Sequence, residues 1–357
     1  MMKPVWRLIK GWDRMVSTAE GLAVDDMMAY SISEKGSAPI LHLYRFKPSA
    51  IVGKYQDIEA ALKIDRCREL GVEFNRRSTG GGTVIMGEKV VALGFGIPLD
   101  YGVMGRGIDA VFAKMSAVLL RALNELGVSA EFRPKNDLQV NGRKIAGLSA
   151  SAEVGSCLLF HCSMLVDFDI PLMLQIMNTP SEKLYDKGYS CFSQRLTTIE
   201  QELGRTVSID EAMSAILSSF EYEFQIEFAS DRLTEWERSK VEQLKAERYT
   251  SDEWIFSHKH PRSRMGEALL KTPGGLLQIY LSLAGSVIDQ VVITGDFFST
   301  SEDINRLESV LKWTPANWDR IMENLSTVWK DGVIYGVTKE DLAQTILNAK
   351  ERMIAAA

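Results

Sequence analysis

The chain has 357 residues, of which 46% are hydrophobic and 25% charged, and carries a formal net charge of −6. Its length makes two domains the natural expectation, and so ordinary a composition excludes a disordered or fibrous chain. The acidic balance excludes a protein that coats nucleic acid, which needs a basic stripe, and no stretch is long and apolar enough to be read as a membrane span. Cys67, Cys157, Cys162 and Cys191 have no Cys-x-x-Cys spacing and are too sparse for a disulfide framework, which points to a reducing compartment, with the cytoplasm as the expectation. Charges interrupt the apolar residues of Met1–Leu8, so this stretch does not read as a signal peptide.

In chain order, a first helix is expected over 22–31. Two short strands around a proline turn follow over 38–53, with Ile40, Leu43, Tyr44 and Phe46 as packing residues. Next comes Asn75-Arg76-Arg77-Ser78-Thr79-Gly80-Gly81-Gly82-Thr83-Val84. Two guanidinium forks stand before three glycines whose backbone N–H groups a ligand can approach without a Cβ in the way, a pattern suited to an anion. Taken alone, the run fits a flexible turn equally well. The apolar stretch 89–97 reads as a central strand behind the glycine run. Residues 108–126 carry apolar side chains at helical spacing, with Gly127 at the cap. A weaker helix over 209–220 has Ser208 and Glu211 at capping-box spacing, and charge density rises over 230–248, placing a domain boundary near Phe228. The last part reads as strands over 276–283 and 287–294, a helix capped by Ser299 or Ser301, and a final helix opening at Thr338 with Asp341 in capping-box position. This is the content of a small α+β module.

Asn141-Gly142 between two alternating segments is a strong signal for a two-residue hairpin. A regular register pairs Val140 with Arg143, Gln139 with Lys144, Leu138 with Ile145 and Asp137 with Ala146. Leu138, Val140 and Ile145 then form a packing face, while Asp137, Gln139, Lys144 and Ala146 share a polar face with room for a ligand. On that face Asp137 and Lys144 lie on a diagonal of about 7–8 Å. A solvated lysine beside a surface turn is the plainer account, and the company of Asp137, Arg76, Arg77 and the glycine run favours a binding role. The chain contains no GxxxxGK[ST] loop and no GxGxxG fingerprint, so any nucleotide is bound outside those modes.

Arg76-Arg77-Ser78-Thr79-Gly80-Gly81-Gly82, Asn136-Asp137, Gly142-Arg143-Lys144-Ile145-Ala146-Gly147 and the downstream His161 resemble, in order and spacing, the lipoate-protein ligase family of the larger type with a C-terminal accessory domain. Leu22-Ala23-Val24-Asp25-Asp26, Ile51–Gln56 and Gly295-Asp296-Phe297-Phe298 extend the resemblance over almost the whole chain. It implies an α/β (α+β) fold: a biotin/lipoate protein ligase-like catalytic domain over 1–228, a linker or first accessory helix over 229–249, and a smaller α+β accessory domain over 250–357. It further implies ATP-dependent activation of lipoate or octanoate as an acyl-AMP such as lipoyl-AMP, with Mg2+, followed by transfer to a lysine of a lipoyl carrier domain. The glycine cleavage H protein, a 2-oxoacid dehydrogenase E2 or another lipoate-binding protein would be the partner, with no nucleic acid or membrane involved.

Carried onto matching positions, Lys144 is the expected catalytic residue. Arg76, Arg77, Ser78, Gly80, Gly81, Gly82, Thr83 and Val84 would line the acyl and phosphate site. Asn136, Asp137, Gly147, Ser149, Ala150 and His161 would complete it, with Asp137 facing the metal. The resemblance departs in three places: Ile85-Met86-Gly87 replaces the usual aromatic-His-Asp, Gly147-Leu148-Ser149-Ala150 has an extra residue, and Cys162 follows His161. Two rival readings remain. One is a cofactor-free octanoyl or lipoyl transferase using a cysteine thioester, for which Cys157 or Cys162 would be the nucleophile. The other is a non-catalytic homologue that binds lipoyl carriers.

Overall fold

The computed structural model describes residues 3–105, 107–133, 135–178, 194–258 and 265–355. The chain divides into two compact units, one of 1–51, 61–79 and 84–255, the other of 52–60, 80–83 and 256–357.

In the first unit, helix α1 (Thr18–Lys35) starts before the expected position because the Ser17 side chain accepts from the Glu20 N–H, and it ends at Gly36 in the left-handed conformation. It lies against a sheet made of β1 (Val5–Val16), β2 (Ile40–Phe46), β6 (Val90–Pro98), β7 (Glu131–Arg133), β8 (Asp137–Val140), β9 (Arg143–Ser151), β10 (Cys157–Leu165) and β11 (Glu227–Asp231). Their order is β11-β1-β2-β6-β10-β9-β8-β7. A second, three-stranded sheet has the order β4 (Glu73–Arg76), β3 (Ser49–Val52), β5 (Val84–Met86). β5 therefore leads the chain directly out of the glycine run.

The central strand β6 alternates between two surroundings, as a strand covered on both faces must. Phe95 stacks on Trp6 at 5.5 Å and meets Phe220 edge-on at 5.3 Å. Gly94 and Gly96 face α1, where a Cβ on Gly94 would overlap the Asp25 carboxylate and one on Gly96 would press on Ile32 and Met28. Both glycines let the helix approach the sheet closely. The two predicted long helices appear as Ile108–Glu125, with Gly127 at φ 94°, and Ile209–Phe224, capped by Ser208 accepting from the Glu211 N–H.

Residues 229–249 complete the first unit. β11 pairs in parallel with β1 at the sheet edge, and a helix over Glu235–Leu244 runs into a π-helical turn, Lys245–Tyr249. Val241, Leu244 and Tyr249 enter the same apolar cluster as Met27 and Met28 of α1. The buried Glu237 receives both Nη atoms of Arg7, at 2.6 and 2.9 Å, and the Ser31 hydroxyl at 2.6 Å. One carboxylate thus ties this helix to β1 and α1.

In the second unit, β12 (Gly266–Thr272), β13 (Gly275–Ala284) and β14 (Val287–Gly295) form an antiparallel sheet packed with helices Ser301–Leu311, Trp318–Val328 and Lys339–Ala355. The first of these is capped by Thr300 rather than Ser299 or Ser301, since its hydroxyl accepts from the Asp303 N–H. Thr338 and Asp341 form the expected reciprocal cap.

Burial alone would raise the Glu237 pKa, but the hydrogen bonds from Arg7, Ser31 and the Thr234 N–H hold it down at about 2. The unfolded value is about 4.3, so the contribution is fully present above it and is lost as pH falls toward about 2. Thermal melts should therefore show Tm falling across that window, with a shallower fall in Glu237→Gln. An equal pH slope in the two proteins would contradict this role.

Candidate functional site

Asn141 at φ 50° and Gly142 at φ 77° give the hairpin its two-residue turn. Val140 pairs with Arg143 and Gln139 with Lys144, as a regular register requires, but Leu138 then stands opposite Ala146 and Asp137 opposite Gly147. A β-bulge at Ile145 shifts the register by one residue. Beside it, the Lys144 N–H donates to the Arg195 carbonyl and its carbonyl accepts from the Thr197 N–H, which fixes this backbone from outside the hairpin. The bulge changes which residues share the lysine's face. Gly147 and Ser149 now lie with Lys144, whereas Ala146 and Ala150 point to the other side.

Lys144 Nζ sits 2.8 Å from Asp137 Oδ1, both side chains being about one-third exposed. A Cβ on Gly147 would come within 2.7 Å of Nζ, so this position needs glycine for the lysine to lie where it does. Ser163 is paired with Gly147, and His161 with Ser149. The same row continues through Gly94 to His42 on β2.

Asp25 descends from α1 into the gap above Gly94. Its Oδ1 lies 2.8 Å from His42 Nδ1, while its Oδ2 accepts from the Tyr44 hydroxyl at 2.7 Å and lies 3.2 Å from His161 Nε2. Burial pushes this carboxyl up, yet the His161 and His42 imidazoles outweigh it and hold the pKa at about 2. The far side of the His161 ring, Nδ1, is 3.0 Å from the Thr79 hydroxyl.

Asp26 serves the other side of α1. Its oxygens accept from Ser78 at 2.5 Å, Tyr249 at 2.6 Å and Arg248 at 2.9 Å. Ser78 and Thr79, the two residues before the glycines, are thus held by adjacent carboxylates of one helix. The Arg76 guanidinium is fully buried and donates to the backbone carbonyls of Trp254 and Ile255, while the Trp254 indole donates back to the Arg76 carbonyl. Arg77 donates to the Ile51 carbonyl at 3.3 Å, and burial together with the neighbouring Arg76 charge lowers its pKa to about 10.

Residues 80–83 belong to the second unit. Gly81, at φ 91°, donates its N–H to the Phe297 carbonyl at 3.0 Å, and the Thr83 hydroxyl donates to Gln56. Val84 returns to the first unit as the opening residue of β5, opposite Ile51. Asn136 turns its amide to the Leu148 carbonyl and accepts from the Leu148 N–H through its own carbonyl. Met86 and Gly87 line a cavity of about 230 Å3 in the first unit, together with Pro48, Lys89, Phe168 and Leu172.

The fold therefore gathers Lys144, Asp137, Gly147, Ser149 and His161 on one sheet face, with Ser78 and Thr79 joined to it through Asp26 and Asp25. Sequence reading missed Asp25, Asp26, His42, Tyr44, Thr79, Arg248 and Tyr249 as site-building residues. A usable signal existed for the first two, because Asp25-Asp26 interrupts an otherwise apolar run, Leu22 to Met28. His42 inside an apolar strand was another.

Residues 17–221 match the family model of the lipoyl protein ligase A/B catalytic domain, and residues 269–346 match that of the bacterial lipoate protein ligase C-terminus. An octanoyltransferase, LipM, from Geobacillus kaustophilus is 28% identical, the match covering 72% of this chain and 99% of that protein. A solved bipartite lipoate protein ligase from Thermoplasma acidophilum, described with its E2 lipoyl domain, is 26% identical with a TM-score of 0.63, covering 74% of this chain and 100% of the other. Lipoate-protein ligase A bound with ATP gives 25% identity and a TM-score of 0.60, covering 72% and 99%. The chain belongs to the lipoyl protein ligase A/B family, with a ligase-type C-terminal domain.

Proposed function

We propose that the protein is an ATP-dependent lipoate-protein ligase, which activates lipoate or octanoate as the acyl-AMP and passes the acyl group to a lysine of a lipoyl carrier domain. The observation that carries this reading is the contrast between Lys144 and the thiols. Lys144 and Asp137 stand accessible on the polar face, whereas Cys67, Cys157 and Cys162 are buried. Burial pushes those thiols up to about 11, 12 and 12 respectively. A thioester route needs a thiolate, and none of these three supplies one at neutral pH. Cys191 lies outside the described residues.

In the adenylation step, a carboxylate oxygen of the acid attacks the α-phosphorus of ATP and pyrophosphate leaves. In the transfer step, a neutral carrier amine attacks the acyl carbon, AMP leaves, and the amine gives up a proton. Lys144 would donate to the oxygens that gain charge in both steps, the kind of interaction with the largest effect in acyl transfer. Asp137 holds that ammonium in place. Mg2+ is normally held by one or two carboxylates together with substrate phosphates, and Asp137 is the carboxylate available for this beside Lys144. The ATP-bound ligase supports a nucleotide at this site, and the archaeal ligase described with its lipoyl domain supports such a domain as the acceptor.

The octanoyltransferase relative favours the rival, direct transfer between carriers. Acid-dependent exchange of pyrophosphate into ATP separates the two, because only a ligase carries it out. We expect exchange in the wild type and in Cys157→Ser and Cys162→Ser. No exchange, together with cysteine-dependent transfer from a loaded carrier, would establish the transferase instead. If neither activity appears with a panel of carriers, the protein is a binding module.

Lys144→Ala should lower exchange by about 10²–10³-fold with the fold intact, as loss of a donor to a developing oxyanion does. Gly147→Ala tests the same geometry from the opposite side. Its new methyl group can be accommodated only by moving the end of the Lys144 side chain, so unfolding free energy should stay within about 1 kcal/mol of wild type while exchange falls sharply. Full activity in Gly147→Ala would show that the observed lysine position is not the working one.

A further inference from the structure

The reaction proposed above uses Lys144 and Asp137 and assigns nothing to the enclosed carboxylate of Asp25, which reaches His161 on the same sheet face. Asp25 is 1% exposed, and its burial is costly unless its oxygens are satisfied. The groups that satisfy it are rigid. His42 stacks on Tyr44 with ring centroids 4.0 Å apart and planes 9° apart, and both side chains come from β2. Burial and the Asp25 charge keep the Tyr44 phenol protonated, so it remains a donor. With one oxygen engaged by His42 and the other by Tyr44, the carboxylate has no rotational freedom left. Gly94 leaves the space it occupies.

We infer that Asp25 is a positioning residue for the acyl-adenylate site: by fixing the His161 ring it holds the Thr79 hydroxyl against the sheet face that carries Lys144. The inference rests on the ligase reading of that site. His161 Nε2 is buried and makes no aligned hydrogen bond among the described residues, but the Asp25 carboxylate stands 3.2 Å from it as a charged acceptor and so favours the ring form with its proton on Nε2. In the neutral imidazole Nδ1 is then an acceptor, and the Thr79 hydroxyl 3.0 Å away becomes its donor. Thr79 is fully buried and has Ser78 on one side, already held by Asp26, and Gly80 on the other. Two adjacent hydroxyls are therefore fixed by two adjacent carboxylates, and only the Asp25 connection passes through an invertible ring. An asparagine at position 25 can present its NH2 to Nε2, favour the opposite ring form and turn the Thr79 hydroxyl round. A displacement of about 1 Å in a positioning contact can cost about 10²-fold in rate.

The test uses the full chain labelled with 15N-histidine, and the variants Asp25→Asn, Thr79→Val and their combination. The wild-type spectrum should show His161, assigned by its loss in His161→Gln, in the Nε2–H form, and Asp25→Asn should change that pattern. Acid-dependent pyrophosphate exchange should fall about 10²-fold in kcat/KM in either single variant, with an unchanged circular dichroism spectrum. The double variant should lose no more than the worse single one, because both act through one ring. Wild-type exchange in Asp25→Asn, additive losses in the double variant, or a wild-type His161 in the Nδ1–H form would each overturn the inference. If Asp25→Asn does not fold, the wild-type ring form and the Thr79→Val kinetics decide. If the wild type shows no exchange at all, the ligase reading fails, whereas the His161 spectra still report whether Asp25 holds the ring.

Discussion

Two carboxylates side by side on one buried helix are the constraint from which much of the first unit follows. Taking an ion out of water costs several kcal/mol unless donors replace the lost hydration, so Asp25 and Asp26 can exist in α1 only if distant segments bring donors to them. Successive helical residues point about 100° apart, so the pair addresses two separate surroundings. Asp25 gathers β2 and β10 over the gap left by Gly94. Asp26 gathers Ser78 and the π-helical turn that carries Arg248 and Tyr249. One turn of helix thereby sets the relative positions of the central strands, the approach to the glycine run and residues more than two hundred positions further along the chain.

Much of this architecture was legible in the sequence wherever local chemistry decides structure. Asn141-Gly142 gave its turn, Ser208 and Thr338 gave their helix starts, and the apolar spacing of 108–126 gave a helix. The motifs of the glycine run and the lysine hairpin led to the correct family. What escaped was decided by contacts between remote residues. The bulge at Ile145 depends on the outward-facing peptide of Lys144 being taken by Arg195 and Thr197, which no alternation pattern encodes. The edge strand β11 exists because β1 offers it a partner, and the following helix joins the first unit because Glu237 reaches Arg7 and Ser31.

The arginine pair illustrates the difference between a motif and its use. As residue types, both guanidinium groups suit an anion equally well. In the folded chain, Arg76 is engaged with main-chain carbonyls at Trp254 and Ile255, while Arg77 lies in an environment that penalises its charge. The glycines likewise differ one from another. Gly81 needs its left-handed backbone and gives its N–H to a carbonyl of the second unit, whereas Gly147, outside the run altogether, makes the space for the lysine.

The bulge in β9 has a consequence for how such a hairpin can vary over time. Between Lys144 and Gly147 there are two residues where a regular strand would have one, and the bulge absorbs the surplus so that both stay on the same face. Losing that one residue would restore regular pairing and leave Gly147 and Ser149 on the lysine's side, whereas losing a second would turn everything beyond by half a pleat and bring Leu148 there instead. Length here can change by one residue and no further. A one-residue gap between lysine and glycine when related chains are compared therefore marks a missing bulge and an unchanged face, while a gap of two marks a protein whose lysine has lost its surroundings.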